Sequence, residues 1–345
     1  MQQEVYFGEH ILPREKTLLL QVLDHYRCTP LNVCRKRSAY KIIAEEGIFC
    51  LKRMKSGEEK IKRGYIVSEE LLRLNFLYLA KYLTTKDKKL YVLKKGYLFY
   101  MTTWIDGREA NLNDINEAIM AVRLLAEFHI EVKKIQQNKL KLINNGFNWK
   151  KQWEKQLKDL KKYSQIIDKK MISTEFDRAY NKELSDEYNY GLNALELISR
   201  CTYNKIDSIE IGICHDSYYY QNLIMFQDKL YIIDLDSLVL NVQIIDLAKL
   251  IRRLMYKKEY SWDFSKARIL IEEYHTIKPL SKNELYLAMS VVAFPHRFWK
   301  LGRKRYDKGT SWSEERYLNK LEKIQSYKIP YEEFLKEFLH FIEIQ

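Results

Sequence analysis

The chain has 345 residues, of which 46% are apolar, so it is a folded protein with room for two lobes rather than a disordered one. It has no apolar run of the ~18 residues that a membrane helix needs, and residues 1–10 lack a signal-peptide pattern, so we expect no membrane span and synthesis in the cytoplasm. The net charge of +13 favours polyanionic partners such as nucleotides, phosphorylated polymers or nucleic acid without selecting one of them.

The first hundred residues predict a small α+β lobe with a mainly antiparallel sheet. A hairpin turn at Glu45-Glu46-Gly47 joins two strands, because glycine adopts positive φ without steric cost. The predicted elements, in chain order, are a helix from Pro13, strands at 39–44 and 48–54, a helix at 66–82, and strands near 90–93 and 97–102.

A turn at Trp104-Ile105-Asp106-Gly107 marks the point where the pattern changes to long helices. We therefore place a boundary there and predict two domains, an N-terminal lobe of residues 1–103 and a larger, mostly helical lobe of residues 104–345. Within the second lobe, a short hairpin is predicted at residues 223–233, with Gln227-Asp228 as its turn.

The most informative stretch runs from His215 to Asn222 and continues through that hairpin to Asp234. A carboxylate loop that ends in Asn, a hairpin, and an apolar strand that ends in Asp is the arrangement with which kinase-like phosphotransferases build a catalytic loop and a metal site. Asn222 and Asp234 would supply hard oxygen ligands to Mg²⁺, with Asp236 as a further carboxylate. The joint order of these residues is more specific than any one of them.

Three elements earlier in the chain have the order expected of an ATP site. Lys52, in the second predicted strand, would contact the α- and β-phosphates, and a helix carboxylate, Glu69 or Glu70, would hold that lysine in place. The strand segment Tyr100-Met101-Thr102-Thr103 would be the hinge, with backbone groups at Met101 and Thr103 that meet adenine. The predicted cofactors are therefore ATP and Mg²⁺.

The catalytic loop departs from the pattern of active relatives. Aminoglycoside and choline kinases, which this region resembles, read His-Gly-Asp-x-x-x-x-Asn here. Registering on His215 and Asn222 puts Ser217 where the catalytic Asp belongs, with Asp216 one residue early. Serine does not accept a proton near neutral pH as a carboxylate does, so the candidate catalytic residues are Asp216, if the loop shifts, and Ser217.

A second departure lies in the segment Cys34-Arg35-Lys36-Arg37-Ser38, which replaces the glycine-rich loop that covers the phosphates in many kinases. The segment is either a solvated basic loop or a set of side chains that contact phosphate directly.

Taken whole, the chain resembles the CotS-type spore coat proteins, relatives of aminoglycoside and choline kinases. Besides the motifs above, the resemblance rests on Asp246-Leu247 at a helix start and on three late segments: Ala293-Phe294-Pro295-His296-Arg297-Phe298, Gly302-Arg303-Lys304-Arg305-Tyr306 and Trp312-Ser313-Glu314-Glu315-Arg316-Tyr317. It implies a bilobal protein-kinase-like fold, synthesis in the mother-cell cytoplasm, and then residence in the spore coat among other coat proteins. It does not imply catalysis.

Three functions remain in competition at this point. The first is a coat protein on an aminoglycoside-phosphotransferase-like scaffold that binds nucleotide and has weak or lost phosphotransfer. The second is an active ATP- and Mg²⁺-dependent kinase of small hydroxyl compounds, with Asp216 as its base. The third, a structural protein that binds polyanions, rests on charge; no sequence motif indicates a specific nucleic-acid partner.

Overall fold

The structure, a computed structural model, describes residues 5–136, 140, 142, 149–201 and 211–345. Contacts divide these residues into two compact units. Unit 1 comprises the described residues within 1–111, 128–143 and 215–239, and unit 2 those within 112–127, 144–214 and 240–345. The units are discontinuous in sequence, whereas the sequence predicted a single boundary between residues 103 and 104, and that boundary stays a prediction.

The secondary structure has short strands in its first part and long helices in its second. The strands are β1 (Tyr6–Phe7), β2 (Pro30–Lys36), β3 (Ala39–Ala44), β4 (Gly47–Met54), β5 (Tyr82–Leu83), β6 (Val92–Lys94), β7 (Tyr97–Thr103), β8 (Arg108–Glu109), β9 (Ile211–Cys214), β10 (Leu223–Phe226), β11 (Lys229–Ile232) and β12 (Val239–Val242). The α-helices are α1 (Pro13–Leu23), α2 (Glu58–Arg73), α3 (Ile115–Lys133), α4 (Trp149–Asp168), α5 (Glu175–Arg200), α6 (Ile244–Met255), α7 (Phe264–Ile277), α8 (Lys282–Ala293), α9 (His296–Gly302), α10 (Glu314–Gln325) and α11 (Lys328–Ile344). Among the described helices, none is both long enough and apolar enough to cross a membrane.

The main sheet of unit 1 has the strand order β1-β2-β3-β4-β7-β5, and β6 also pairs with β7. Only the β1–β2 pair is parallel among these, so the predicted antiparallel sheet is confirmed. The segment that replaces a glycine-rich loop is mostly strand: Lys36 pairs with Ala39 across a two-residue turn in which Arg37 has φ 55°. Arg37 forms an ion pair with Glu109 at 2.6 Å, so its guanidinium already has a carboxylate partner.

The predicted helix at 66–82 is wrong in its bounds. Helix α2 begins at Glu58, directly after Gly57 at φ 126°, and ends before Asn75, whose φ of 64° no longer continues a helix. Leu79 and Tyr82, which fit a helical spacing in sequence, instead pair with Ile232 and with β7. The spacing of apolar residues in this short run fits both the helical period of about 3.6 residues and the strand period of two. Pairing with distant segments selected the extended conformation.

Helix α1 supplies one side of the core of unit 1. Leu19 and Val22 of α1 are fully buried, in a cluster with Leu51 of β4 and with Phe99 and Met101 of β7. Because successive side chains of a strand point to opposite faces, the residues that alternate with these on β4 and β7 face the other side of the sheet. That second face carries the candidate site.

A second sheet of unit 1 has the order β11-β10-β8 and is antiparallel. The β10–β11 hairpin turns through Gln227 and Asp228 at φ 48° and 57°, as the sequence predicted from its two-residue turn. At Gly107 a Cβ atom would lie 2.1 Å from the Met225 carbonyl oxygen, so glycine is needed where the chain passes this close to β10. Ala80 donates its N–H to the Ile232 carbonyl at 3.1 Å, which ties β11 to the chain before β5.

Unit 2 is predominantly helical in its described residues. Helix α5 starts with a capping box in which Thr174 and Asp177 exchange hydrogen bonds, and α8 starts with the same arrangement of Ser281 and Glu284. Tyr180 of α5 stacks on Phe298 of α9 with ring centroids 4.0 Å apart. The larger helical part predicted after the sheet is confirmed.

Candidate functional site

Side chains on the second face of β4 and β7 line a narrow cavity in unit 1. Cys50 and Lys52 come from β4, and Tyr100 and Thr102 come from the neighbouring β7. The cavity has a volume of about 60 Å³. The residues that complete its lining are Ala80, Tyr82, Thr103, Trp104, Ile105, Ile224, Ile233, Asp234 and Leu235.

Lys52 is the cationic centre of this cavity. Its Nζ lies 2.6 Å from Oδ1 of Asp234 and 3.6 Å from Oδ2 of Asp236. Asp234 lies two residues after the end of β11 in a left-handed conformation with φ 68°, and a short 3-10 turn over Leu235–Ser237 follows it. This change of direction is what presents both carboxylates to one ammonium group.

Asp236 is held by two tyrosines as well as by Lys52. The Tyr100 hydroxyl lies 2.6 Å from each of its carboxylate oxygens, and the Tyr82 hydroxyl donates to Oδ1 at 3.3 Å. The two rings stack with centroids 5.5 Å apart and an interplanar angle of 8°. A Cβ on Gly64 of α2 would lie 2.2 Å from the Tyr82 hydroxyl, so this helix glycine makes room for the stack.

The pKa values of the two carboxyl groups shift in opposite directions, because burial prevails at Asp236 and the charge of Lys52 prevails at Asp234. Burial raises the pKa of Asp236 above its usual range, and the neighbouring Asp234 charge adds to this, against the pull of Lys52. Burial alone would also raise the pKa of Asp234, but the charge of Lys52 and its hydrogen bond outweigh burial there, and the pKa is lowered. The side chain of Asp234 is 35% exposed and that of Asp236 16%, so the loss of hydration weighs more on Asp236.

The pKa of Lys52 is raised even though burial alone would lower it. The charges of Asp236 and Asp234 outweigh that desolvation. Lys52 is therefore a permanent cation at neutral pH, and the cluster of one ammonium and two carboxyls can take up a further positive charge.

The Asn222 loop lies at the open end of the β10–β11 hairpin, beside Asp234. The Asn222 carbonyl accepts the N–H of Ile233 at 3.0 Å, and its side-chain Nδ2 donates to the Ser217 carbonyl at 2.9 Å. Because Ile233 immediately precedes Asp234, the hairpin returns the chain so that the two predicted metal ligands lie at the same place. The amide oxygen of Asn222 is of the hard type that Mg²⁺ prefers, as are the carboxylates.

The backbone of Asp216 bears on the register of the loop. His215 is fully buried, with its Nε2 3.1 Å from the Ile233 carbonyl, and Asp216 follows it at φ 64°. Glycine adopts this left-handed conformation freely, and glycine is the residue that follows His in His-Gly-Asp-x-x-x-x-Asn. The conformation thus favours Asp216 in the glycine position and Ser217 in the position of the catalytic carboxylate.

The two residues predicted to bind adenine, Met101 and Thr103, differ in their surroundings. Thr103 lines the cavity, whereas the Met101 side chain is 1% exposed and belongs to the core on the α1 side. The Thr103 N–H donates to the Lys81 carbonyl at 2.8 Å, and the next N–H, of Trp104, donates to Ile48. The cavity wall therefore continues past the predicted hinge into Trp104 and Ile105.

Glu69 and Glu70 are not brought to Lys52. Glu69 is exposed, and Glu70 forms its ion pair with Arg73. Helix α2 turns Gly64, Val67 and Leu71 inward, and neither glutamate lies on that buried side. The expected lysine–glutamate pair is replaced, among the described residues, by lysine–aspartate pairs.

Two residues of the site were missed in the sequence. Tyr82 was assigned to a helix, and Tyr100 was read only as part of the hinge. The signal for Tyr100 was present, because a strand pairing that sets Lys52 opposite Tyr100 puts both side chains on one face, which the register confirms. Tyr82 gives no comparable local signal.

The chain is similar to known proteins of one family over most of its length. Residues 20–338 match the family described as "Spore coat putative kinase YutH". Spore coat protein S of Bacillus subtilis (strain 168) is 27% identical over 128 residues, a match that covers 37% of this chain and only 36% of that protein.

Solved structures share the fold over almost the whole chain. An aminoglycoside phosphotransferase from Alicyclobacillus acidocaldarius superposes with a TM-score of 0.84 at 17% identity and covers 98% of both chains. An amicoumacin kinase solved with AMP-PNP and Ca²⁺ has a TM-score of 0.63 at 15% identity, covering 91% of this chain and 94% of its own. The predicted kinase-like fold class is confirmed, and the chain belongs to the YutH family of kinase-like spore coat proteins.

Proposed function

We propose that this protein is a spore coat component whose Lys52 site binds a nucleotide with Mg²⁺ and whose phosphotransfer is weak or lost. The observation that carries the proposal is the convergence of Asp234 and Asp236 on Lys52 at this cavity, with Asn222 at the adjoining hairpin end. The family implies synthesis in the mother-cell cytoplasm and other coat proteins as partners.

The roles follow from the chemistry of the groups. Lys52 would contact the α- and β-phosphates, and Asn222, Asp234 and Asp236 would hold Mg²⁺, whose charge offsets that of the phosphates. Trp104, Ile105, Ile224 and Ile233 would supply an apolar wall for the base. The solved amicoumacin kinase with AMP-PNP and Ca²⁺, which shares the fold, supports this choice of ligands.

The size of the cavity argues for weak binding. Pockets that hold small ligands usually measure about 300–1,000 Å³, whereas this one measures about 60 Å³. A nucleotide must therefore displace side chains, and the hydrogen bonds from Tyr100 and Tyr82 to Asp236 stand in its way. The free energy of breaking them is subtracted from the affinity.

Loss of the base argues for slow chemistry. Ser217 offers a hydroxyl where a carboxylate would orient and deprotonate the acceptor, and general base catalysis typically supplies about 10²–10⁴-fold in rate. Asp216 would act only if it left the glycine-like conformation described above. Positioning and electrostatics still contribute, so a residual rate is compatible with this proposal.

Thermal melts test the binding. ATP with Mg²⁺ should raise the melting temperature of the wild type more than ATP with EDTA, because a ligand that binds only the folded state stabilises it, by about 2.7 kcal/mol at a hundredfold excess over Kd. Asp234→Ala should abolish the Mg²⁺ dependence, and Asp87→Ala, which removes an exposed carboxylate of the same unit, should keep it. A Mg²⁺-dependent shift that survives in Asp234→Ala contradicts the metal assignment.

Phosphotransfer is tested by restoring the loop. The double variant Asp216→Gly/Ser217→Asp recreates His-Gly-Asp, and we expect it to phosphorylate a hydroxyl acceptor from a sugar and polyol panel faster than the wild type. Robust wild-type turnover that Asp216→Asn abolishes would instead establish the active-kinase alternative.

A further inference from the structure

A second cavity, in unit 2, is lined almost entirely by cations. It lies between α9, the π-helical turn Arg303–Asp307 that continues it, and α10, and its volume is about 390 Å³. No carboxylate lines it. Its charged lining residues are Arg297, Lys300, Lys304, Arg316, Lys320 and Lys323.

The spacing of these residues places them on two facing stripes. Arg297, Lys300 and Lys304 recur at three and four residues along the first segment, and Arg316 and Lys320 are four apart on α10. Each helix therefore presents a row of positive charge to the same space. Such π-helical turns are found frequently at functional sites.

The six cations have no acidic partners within the described residues: none of them forms an ion pair there. Their neighbours differ, because Arg305 pairs with Glu314 at 2.8 Å and Lys162 pairs with Asp307 at 2.7 Å. Acidic residues of these same segments thus neutralise neighbouring cations, but they do not pair with the cations that line the cavity.

Trp312 contacts three of the cations at the cavity wall, the most distant of them being Lys320, whose ammonium lies 5.6 Å from the ring centroid. The Lys304 ammonium lies 3.9 Å and the Arg316 guanidinium 4.3 Å from its ring centroid, within the range of cation–π attraction. Burial lowers the pKa of Lys304, and the charges of Lys300, Lys320 and Arg316 lower it further. A bound anion would relieve the repulsion between Lys304 and these neighbouring positive charges.

We propose that this cavity binds a small ligand that carries several phosphate groups. Each phosphate monoester brings about −1.5 to −2 charges at neutral pH, so about three or four of them balance six cations in a compact volume. Four of the six are lysines, which bind phosphate as point charges, and the two arginines add bidentate donors. The volume is within the range of small-ligand pockets. This site is independent of Mg²⁺ and of the Lys52 cavity.

Sodium tripolyphosphate titrated into the full chain by calorimetry, in EDTA and at fixed ionic strength, tests the proposal. We expect saturable binding by the wild type and at least about tenfold weaker binding by Lys304→Gln/Arg316→Gln, as the loss of charge-assisted contacts predicts. Inorganic monophosphate and citrate should bind more weakly than tripolyphosphate.

A matched control separates a site from general attraction by a basic protein. Lys155→Gln/Lys158→Gln removes two exposed positive charges from α4 in the same unit and should retain wild-type affinity within about twofold. In the absence of ligand, Lys304→Gln/Arg316→Gln should melt close to the wild type, because the relief of like-charge repulsion offsets the two lost cation–π contacts to Trp312.

Three outcomes overturn the proposal. One is the absence of saturable tripolyphosphate binding by the wild type, and another is an equal loss of affinity in the α4 control. The third is binding that Lys304→Gln/Arg316→Gln leaves unchanged while Lys52→Met abolishes it, which would assign the phosphates to the Lys52 cavity.

Discussion

The Tyr100 hydroxyl lies 2.6 Å from both carboxylate oxygens of Asp236, so a single O–H bridges the two acceptors. In a kinase-like metal site such a carboxylate would be expected to face the metal ion. Here it faces a tyrosine from the sheet as well as Lys52.

Tyr100→Phe should lower the free energy of unfolding by about 1–3 kcal/mol, because the hydrogen bond it removes has a charged acceptor. If this hydroxyl competes with a metal, the Mg²⁺-dependent stabilisation by ATP should increase. Denaturant titration and thermal melts measure the two effects. The control is Tyr26→Phe, which removes a buried hydrogen bond to the Phe99 carbonyl in the same unit and should leave the ATP effect unchanged. Equal ATP shifts in both variants would count against the competition.

Lys52→Met should destabilise the protein by about 2 kcal/mol at pH 7, less than for a fully buried pair because Asp234 is 35% exposed. Without the cation, the folded-state pKa of each carboxyl lies above its unfolded value, so the variant regains stability as the pH falls through those values. In the wild type the lowered pKa of Asp234 contributes stability that is lost on acidification. The difference between the two proteins should therefore grow from pH 4 to pH 7.

The control for this pH dependence is Lys41→Met. Lys41 pairs with Asp106, whose side chain is 59% exposed, so its loss should destabilise the protein much less than the loss of Lys52. Urea denaturation at each pH measures the free energy of unfolding of the wild type, Lys52→Met and Lys41→Met. A Lys52→Met difference that is constant from pH 4 to pH 7 would show that the two aspartates do not share this lysine in solution.

Asp216→Gly should be more stable than Asp216→Ala by about 1 kcal/mol, because φ 64° carries a steric cost for any residue with a Cβ. Both variants lack the carboxylate, so their difference isolates the backbone. At Asp87, where φ is not positive, glycine should be no better than alanine. Equal stabilities at position 216 would remove the support for the His-Gly-Asp register.

Glu187→Gln should flatten the pH dependence of stability between pH 5 and pH 8. Burial raises the pKa of Glu187 to about 8, with a partly offsetting hydrogen bond from Gln325. The folded state therefore holds a proton that the unfolded state has released, and the wild type loses about 2–4 kcal/mol as the pH rises through this range. Glutamine keeps the shape without the ionisation. Glu337→Gln, at an exposed position of α11, should behave as the wild type in the same urea titrations.

The sequence alone determined the features that depend on neighbours along the chain. Strand β3 was predicted with its observed bounds, because alternation of side chains is a local property. The two-residue turn at Gln227-Asp228 fixed the hairpin that brings Asn222 beside Asp234. Likewise, the residues that carry the family resemblance fall in several short segments, each contiguous in sequence, so a single sequence sufficed to recognise the fold.

Only the tertiary structure decided which distant groups meet. Nothing near Glu69 in sequence indicates that α2 faces it outward, and nothing near Asp236 indicates that Tyr82 and Tyr100 reach it. The two cationic stripes of α9 and α10 are each visible as helical spacing, but their convergence on one cavity is not. Electrostatic energies and packing depend on distance through space, and that distance is set by the folded chain rather than by separation along it.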